Sequence, residues 1–272
     1  MFNPAPAPHL PRIIINADDF GLHPSVNDGV EQAHREGLVT SASVMTLGPA
    51  LADAARRARA LPALDLGLHW TLVGLPGLPP TFADFFREYA RGRFPAQDLA
   101  ARLRSQLNTA ISTHRLDVSH IDSHQHLHAF PPLMRVLCRV AQEYQIPCVR
   151  LPQDGPALAR VSAGRRAQAA ALRALCLLSR SLIQNHGLRT TDHFAGMAVS
   201  GHLTGDVLAE YIRRARPGST EIVCHPGTDN QSLSRAFAWQ YDWQGELAAL
   251  RAPAARAAAD NRRARPIAWH EL

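Results

Sequence analysis

The sequence has no apolar run of the length that spans a bilayer. It has only four cysteines, Cys138, Cys148, Cys176 and Cys224, and no Cys-x-x-Cys pair. That excludes a zinc ribbon or disulfide framework and fits reduced, mostly buried thiols in a cytosolic protein. No Gly-x-Gly-x-x-Gly follows the first strand-like run, and no Gly-Lys-Ser/Thr loop is present, so a nucleotide-binding fold loses its main support. No Lys/Arg block interleaves with aromatics, which argues against nucleic acid as a partner despite a formal net charge of +6. The first residues, "MFNPAPAPHLPR", are Pro-rich and lack the apolar core of a secretory signal. Residues 1–11 are therefore expected to be a flexible segment preceding one domain, in a cytoplasmic protein.

What is present suits a well-packed core. Of 272 residues, 46% are hydrophobic and 19% charged, which excludes global disorder. Strand-like runs alternate with helical ones. Strands are expected at 12–16, 40–48, 63–70, at the start of 117–130, at 147–152, within 191–201 and at 220–227, with a short last one near 265–272. Helices are expected at 25–37, 49–61, 98–113, 131–144, 164–187, 203–216 and 244–263. Residues 74–95, rich in Pro, Gly and Phe, read as a long loop with one helical turn, and such loops often act as lids. The alternation predicts an α/β fold with a parallel sheet covered by helices, closed into a barrel or open and doubly wound.

Residues able to hold a metal fall at strand C-termini. Asp18 and Asp19 end the first strand, His69 the third, His124, His126 and His128 the fourth, and His225 the seventh. In a parallel barrel these ends share one rim. His120, Asp122, His124, His126 and His128 are spaced by two, so they share a face while the chain stays extended. The plainer readings are a turn with a helix N-cap for the acids, and a solvated edge strand or core histidines bonded to neighbours for the histidines. Two imidazoles and a carboxylate from separate strands make a catalytic metal site with room for water. Such an ion lowers the pKa of its water and polarises a carbonyl. Adjacent acids can then divide the labour, one binding metal and the other taking the water's proton. His225 could protonate a departing amine. Cys224 beside it points to the opposite face, which argues against a thiolate–imidazole pair. Arg150 could clamp a carboxylate or substrate oxygen, or serve a structural salt bridge; Asp192 and His193 could add to the rim.

Four motifs, "NADDFG", "GLHW", "HIDSHQHLH" and "EIVCHPG", together resemble the YdjC-like carbohydrate deacetylases, in the same order over residues 12–272. "VRLP", "TDHFAGMAVSGHLT" and "TEIVCHPG" are further similar to the hopanoid-biosynthesis-associated (HpnK-type) branch. The resemblance implies a single-domain, TIM-like (β/α) barrel of about seven parallel strands. It implies removal of an N-acetyl group from an acetylated amino sugar, N-acetylglucosaminyl in type and lipid-linked in the hopanoid branch. It implies one divalent ion held by Asp19, His69 and His124, with Asp18 as base and His225 as acid. Arg150, His128 and His193 are expected around the substrate. The family association is with Mg2+, whereas the ligand set leans to Zn2+, and whether His126 or His128 also reaches the metal is left open. Gly74–Pro95 is more compact than is usual in the hopanoid branch. The Leu/Arg pattern of 164–187 is that of an outer barrel helix, and alternatively of peripheral contact with the inner membrane face. Homodimerisation is left open. The rival readings are another metal hydrolase, such as a two-metal phosphoesterase, and a non-enzymatic basic binding protein.

Overall fold

The Val/Ile-rich runs pair edge to edge as parallel strands, and the amphipathic runs between them return the chain over the outside. The computed structural model describes residues 10–155, 162–262 and 264–272. In chain order the elements are β1 (Arg12–Phe20), α1 (Pro24–Arg35), β2 (Ser41–Val44), α2 (Leu51–Arg59), β3 (Asp65–Trp70), α3 (Phe82–Ala90), α4 (Ala96–Asn108), β4 (His120–Ser123), α5 (Pro131–Glu143), β5 (Cys148–Val149), α6 (Ala163–Asn185), β6 (His193–Ala195), α7 (Gly205–Arg213), β7 (Ser219–Cys224), α8 (Asn230–Ala236), α9 (Trp243–Leu250), α10 (Pro253–Arg262) and β8 (Arg265–Pro266). The strand order is β5-β4-β3-β2-β1-β7-β6, every pairing is parallel, and β8 also pairs with β1. Isolated parallel bridges, Cys148 to Arg189 and Asp154 to Phe194, link the segments around β5 and β6, the two edges of the curl. The result is an α/β, TIM-like curled barrel with seven parallel strands.

Side-chain alternation along β1 separates two environments. Ile13, Ile15 and Ala17 belong to the large apolar core, which includes Val26, Val30, Leu133 and Leu137 of the outer helices. Ile14 belongs to a small cluster with Cys148, Ile267 and Trp269. Above Ile14 on the same side, Asn16 and Asp18 enter a buried polar network with Ser43, Asp122 and Arg150. The usual apolar layers of such a barrel are thus replaced near the rim by hydrogen-bonded charge. Gly67 makes room for this network, because a Cβ there would stand 2.2 Å from the His120 ring.

Several expectations need correction. Residues 74–95 hold a nine-residue helix, α3, whose N-terminus is capped by Thr81 Oγ1 accepting from Asp84 N–H at 3.2 Å. Phe85 buries itself there and stacks on Phe94. The expected last helix is two, since Pro253 cannot continue α9 and instead starts α10. Helix α8 was not anticipated. Strand β4 ends at Ser123, and His124–Ala129 form a 3-10 turn with left-handed backbone at Gln125 (φ 54°) and His126 (φ 55°). Residues 1–9 of the expected flexible segment, and Arg263 of the expected last helix, lie outside the described residues.

Candidate metal centre and cavity

The two acids of β1 point differently from a regular strand. Strict alternation would send Asp19 to the helix side, opposite Asp18. Instead the pairing with β2 shifts register between Ala17 and Phe20, and Asp19 adopts φ 68°. Such a bulge re-aims a side chain at the cost of local strain. Here it brings Asp19 to the same site as its neighbour.

Asp19 Oδ1 lies 3.1 Å from His124 Nδ1 and 3.3 Å from His69 Nε2. All three side chains are buried. Among the described residues, Asp19 Oδ1 has no well-directed hydrogen bond, nor does His124 Nε2. Two donors on one ion at about 2.1 Å would stand about 3.0–3.4 Å apart, so the spacing and the orphaned oxygen both fit a divalent cation. The three ligand atoms also converge within 4.8 Å of one another. Burial opposes a charge on Asp19, but His124 and then His69 outweigh it and hold the carboxyl well below its ordinary range.

His69 is oriented from behind. In the β3–β4 register it stands opposite Asp122, and its Nδ1–H donates to Asp122 Oδ1 at 2.7 Å. A carboxylate in that position fixes the imidazole's tautomer and raises its basicity as a ligand. Burial disfavours the imidazolium of His69, but Asp122 and Asp18 push its pKa up to about 10.

Asp18 lies beside this group. Its Oδ2 accepts from Arg150 Nη1 at 2.9 Å; its Oδ1 accepts from Arg150 Nη2 at 2.8 Å and from Asn16 Nδ2 at 2.9 Å. Arg150 does not reach substrate space as expected. It is fully buried, and the same guanidinium also meets Asp122 Oδ2 at 2.6 Å and Glu221 Oε1 at 2.7 Å. Its fork is saturated by three acids, so it organises carboxylates and has no donor left for a ligand. His128 is likewise turned inward, its ring between Ser123 Oγ (2.7 Å) and the Arg150 carbonyl (3.1 Å). The break after Ser123 separates it from the face that His124 occupies. His193 opens β6 near its N-terminal end, opposite Thr220, and lines a different cavity with Asp192, Arg173 and Arg216.

A cavity of about 500 Å³ opens over the cluster. Asp18, Asp19, His69, His124, His126 and His225 line it, with aromatic and leucine side chains around them. His225 follows β7 directly. Its backbone N–H donates to Glu246 Oε2 at 2.5 Å, and its Nδ1 is 3.8 Å from the same oxygen. Burial works against its charged form, but Glu246, with Asp19 and Asp18 behind it, raises its pKa above the ordinary value. Two site residues escaped the sequence reading. Asp122 was seen only as part of a shared face, and its role needs the β3–β4 register. Glu246 comes from α9, 21 positions beyond His225, and carries no local signal.

A family model described as "YdjC-like protein" matches residues 12–261. The chain belongs to the YdjC-like family. Among its relatives is the chitooligosaccharide deacetylase of Klebsiella pneumoniae (strain 342), 30% identical over 259 residues, covering 92% of this chain and 94% of that protein. A carbohydrate deacetylase of Brevibacillus brevis is 36% identical over 149 residues, which are 52% of this chain and 59% of the relative's length. A crystal structure from Enterococcus faecalis V583, described there as a candidate cellobiose-phosphate cleavage protein, superposes with a TM-score of 0.75 at 23% identity, over 97% of this chain and 99% of that one. That likeness concerns the fold.

Proposed function

We propose that this protein is a metal-dependent carbohydrate deacetylase, hydrolysing the N-acetyl group of an acetylated amino sugar. The observation that carries the reading is the buried Asp19–His69–His124 group with its orphaned oxygen, at the base of a cavity that also holds Asp18 and His225. The deacetylase names of relatives matched over nearly the whole chain support it. Asp19, His69 and His124 would hold one divalent ion, and two imidazoles with one carboxylate suit zinc or another first-row ion better than magnesium. When bound, that ion supplies a water of lowered pKa and a polarised amide carbonyl. Asp18, oriented by the Arg150 fork and Asn16, takes the proton of the attacking water. His225, whose protonated form Glu246 favours, delivers a proton to the departing amine.

The finer part of the proposal is an N-acetylglucosaminyl glycolipid, hopanoid-linked, as substrate. Leu172 and Leu175 of α6 line the cavity, while Leu177 and Leu178 on the same helix are exposed. No described helix is long and apolar enough to cross a membrane. The exposed leucines of α6 are the proposed point of contact with a lipid substrate, at the inner membrane face. Liposome co-sedimentation at low salt tests that contact, and failure to sediment removes it.

The deciding experiment is acetate release from diacetylchitobiose with metal analysis. His124→Ala and Asp18→Asn should both abolish turnover, and only the first should strip the metal. One equivalent of metal per chain is expected; two would favour a phosphoesterase. Full turnover by both variants would refute the assignment of Asp18 as base and His124 as ligand.

A further inference from the structure

Four of the chain's 17 Phe, Trp and Tyr residues fall within seven positions, as Phe237, Trp239, Tyr241 and Trp243. The segment between α8 and α9 joins no strand, so sheet packing does not explain its alternation. Successive rings touch: Phe237 and Trp239 stack at 5.0 Å, Trp239 and Tyr241 meet at 5.8 Å, and Tyr241 and Trp243 at 5.6 Å. Trp243 is fully buried and anchors one end. Trp239 and Tyr241 are only half-buried, and both line the cavity. The Trp239 ring lies 5.2 Å from His124, and the Tyr241 ring 5.2 Å from His225. The strip therefore spans the distance between the candidate metal ligands and the candidate acid. Phe82, Phe86 and Phe130 line the same cavity, with Gln125, Gln168 and Ser200 as neutral polar groups.

This composition selects among ligands. A pyranose ring has apolar C–H faces and a rim of hydroxyls. Aromatic carbon covers the faces, and neutral amides and a hydroxyl serve the rim beside Arg165, which also lines the cavity. A volume of about 500 Å³ lies within the range of about 300–1,000 Å³ that accepts small ligands. We propose that Trp239 and Tyr241, held in place by their ring contacts with Phe237 and Trp243, form the sugar-recognition wall of this cavity, with Trp239 as the residue that sets affinity for a closed pyranose ring. This deepens the deacetylase reading and rests on it for the orientation of the sugar, but ring recognition is measurable without turnover.

The test is calorimetric binding of diacetylchitobiose and of its borohydride-reduced, ring-opened N-acetylglucosaminitol analogue, alongside acetate release and metal content. Losing a Trp contact area in a partly desolvated site weakens binding about tenfold or more. Trp239→Ala should therefore raise Kd and KM at least about tenfold, with kcat changed less, metal content retained and melting temperature close to wild type. Trp239→Phe should restore most of the affinity. The analogue opened at the residue that contacts Trp239 should bind the wild type and Trp239→Ala alike. Equal Kd for wild type and Trp239→Ala, or no binding of the closed ring by the wild type, overturns the proposal. Trp239-dependent binding without acetate release supports the wall and refutes the hydrolase. Acetate release with unchanged Trp239→Ala kinetics does the reverse.

Discussion

Replacing Arg150 with methionine isolates the buried charge cluster behind the metal centre. The guanidinium compensates Asp18, Asp122 and Glu221 at 2.6–2.8 Å, all nearly or wholly inaccessible. Methionine fills much of the volume but leaves the acids without their cation. Removing one partner of a buried ion pair costs about 3–5 kcal/mol, a large part of the about 5–15 kcal/mol that holds a domain folded. With a urea slope of about 3 kcal/mol/M for a chain of this size, the unfolding midpoint should fall by about 1–1.7 M at pH 7.5. Arg150→Lys keeps the charge but cannot fork between three acids, so its loss should be intermediate. The pH dependence has a definite sign. In the wild type, burial would raise Asp122, but Arg150 and then His69 hold it below its ordinary 3.8. Its contribution is present above that value and is lost as pH falls through the folded pKa. Burial already raises Glu221 to about 7 against the pull of Arg150; in the variant, loss of the cation raises Glu221 further and lifts Asp122 above its unfolded pKa, so stability declines as pH rises past their unfolded values. The gap between the proteins should thus be widest at neutral pH and narrow toward pH 4. Urea melts followed by circular dichroism decide it. An Arg150→Met midpoint within about 0.3 M of wild type at pH 7.5 would refute the compensation argument.

Two further outcomes are expected. Because His69 in the metal-free protein is raised to about 10 by its acidic neighbours, metal uptake at pH 7.5 should release about one proton per ion; calorimetry in two buffers of different ionisation enthalpy measures it, and zero release would contradict His69 as ligand. Glu246→Gln keeps a carbonyl acceptor for the His225 N–H but removes the charge that raises the ring, so the alkaline limb of the kcat/KM profile should move to lower pH, and an unmoved limb would exclude His225 as the acid.

The sequence carried the repeating architecture because apolar periodicity and strand spacing are local properties. It also carried the gathering of the β1, β3 and β4 ends that bear Asp19, His69 and His124, since parallel strands deliver their C-termini to one rim. It failed where a single backbone event redirects a side chain. The period-two reading put five residues from His120 to His128 on one face, but the left-handed turn at Gln125 and His126 ends that face after the strand. His124 then reaches the cavity, whereas His128 turns back to Ser123 and the Arg150 carbonyl. The bulge at Asp19 is the converse case, where departure from alternation brings two adjacent acids to one site. From the sequence alone Arg150 is open between a substrate contact and a structural salt bridge, and the structure shows the salt bridge. A lone arginine at a strand end faces either solvent or the barrel interior, and the choice depends on how many buried acids other strands contribute. Asp18, Asp122 and Glu221 come from three strands, β1, β4 and β7. Only their joint burial makes the cation's inward position favourable, so its role belongs to the assembled barrel and to no segment of it.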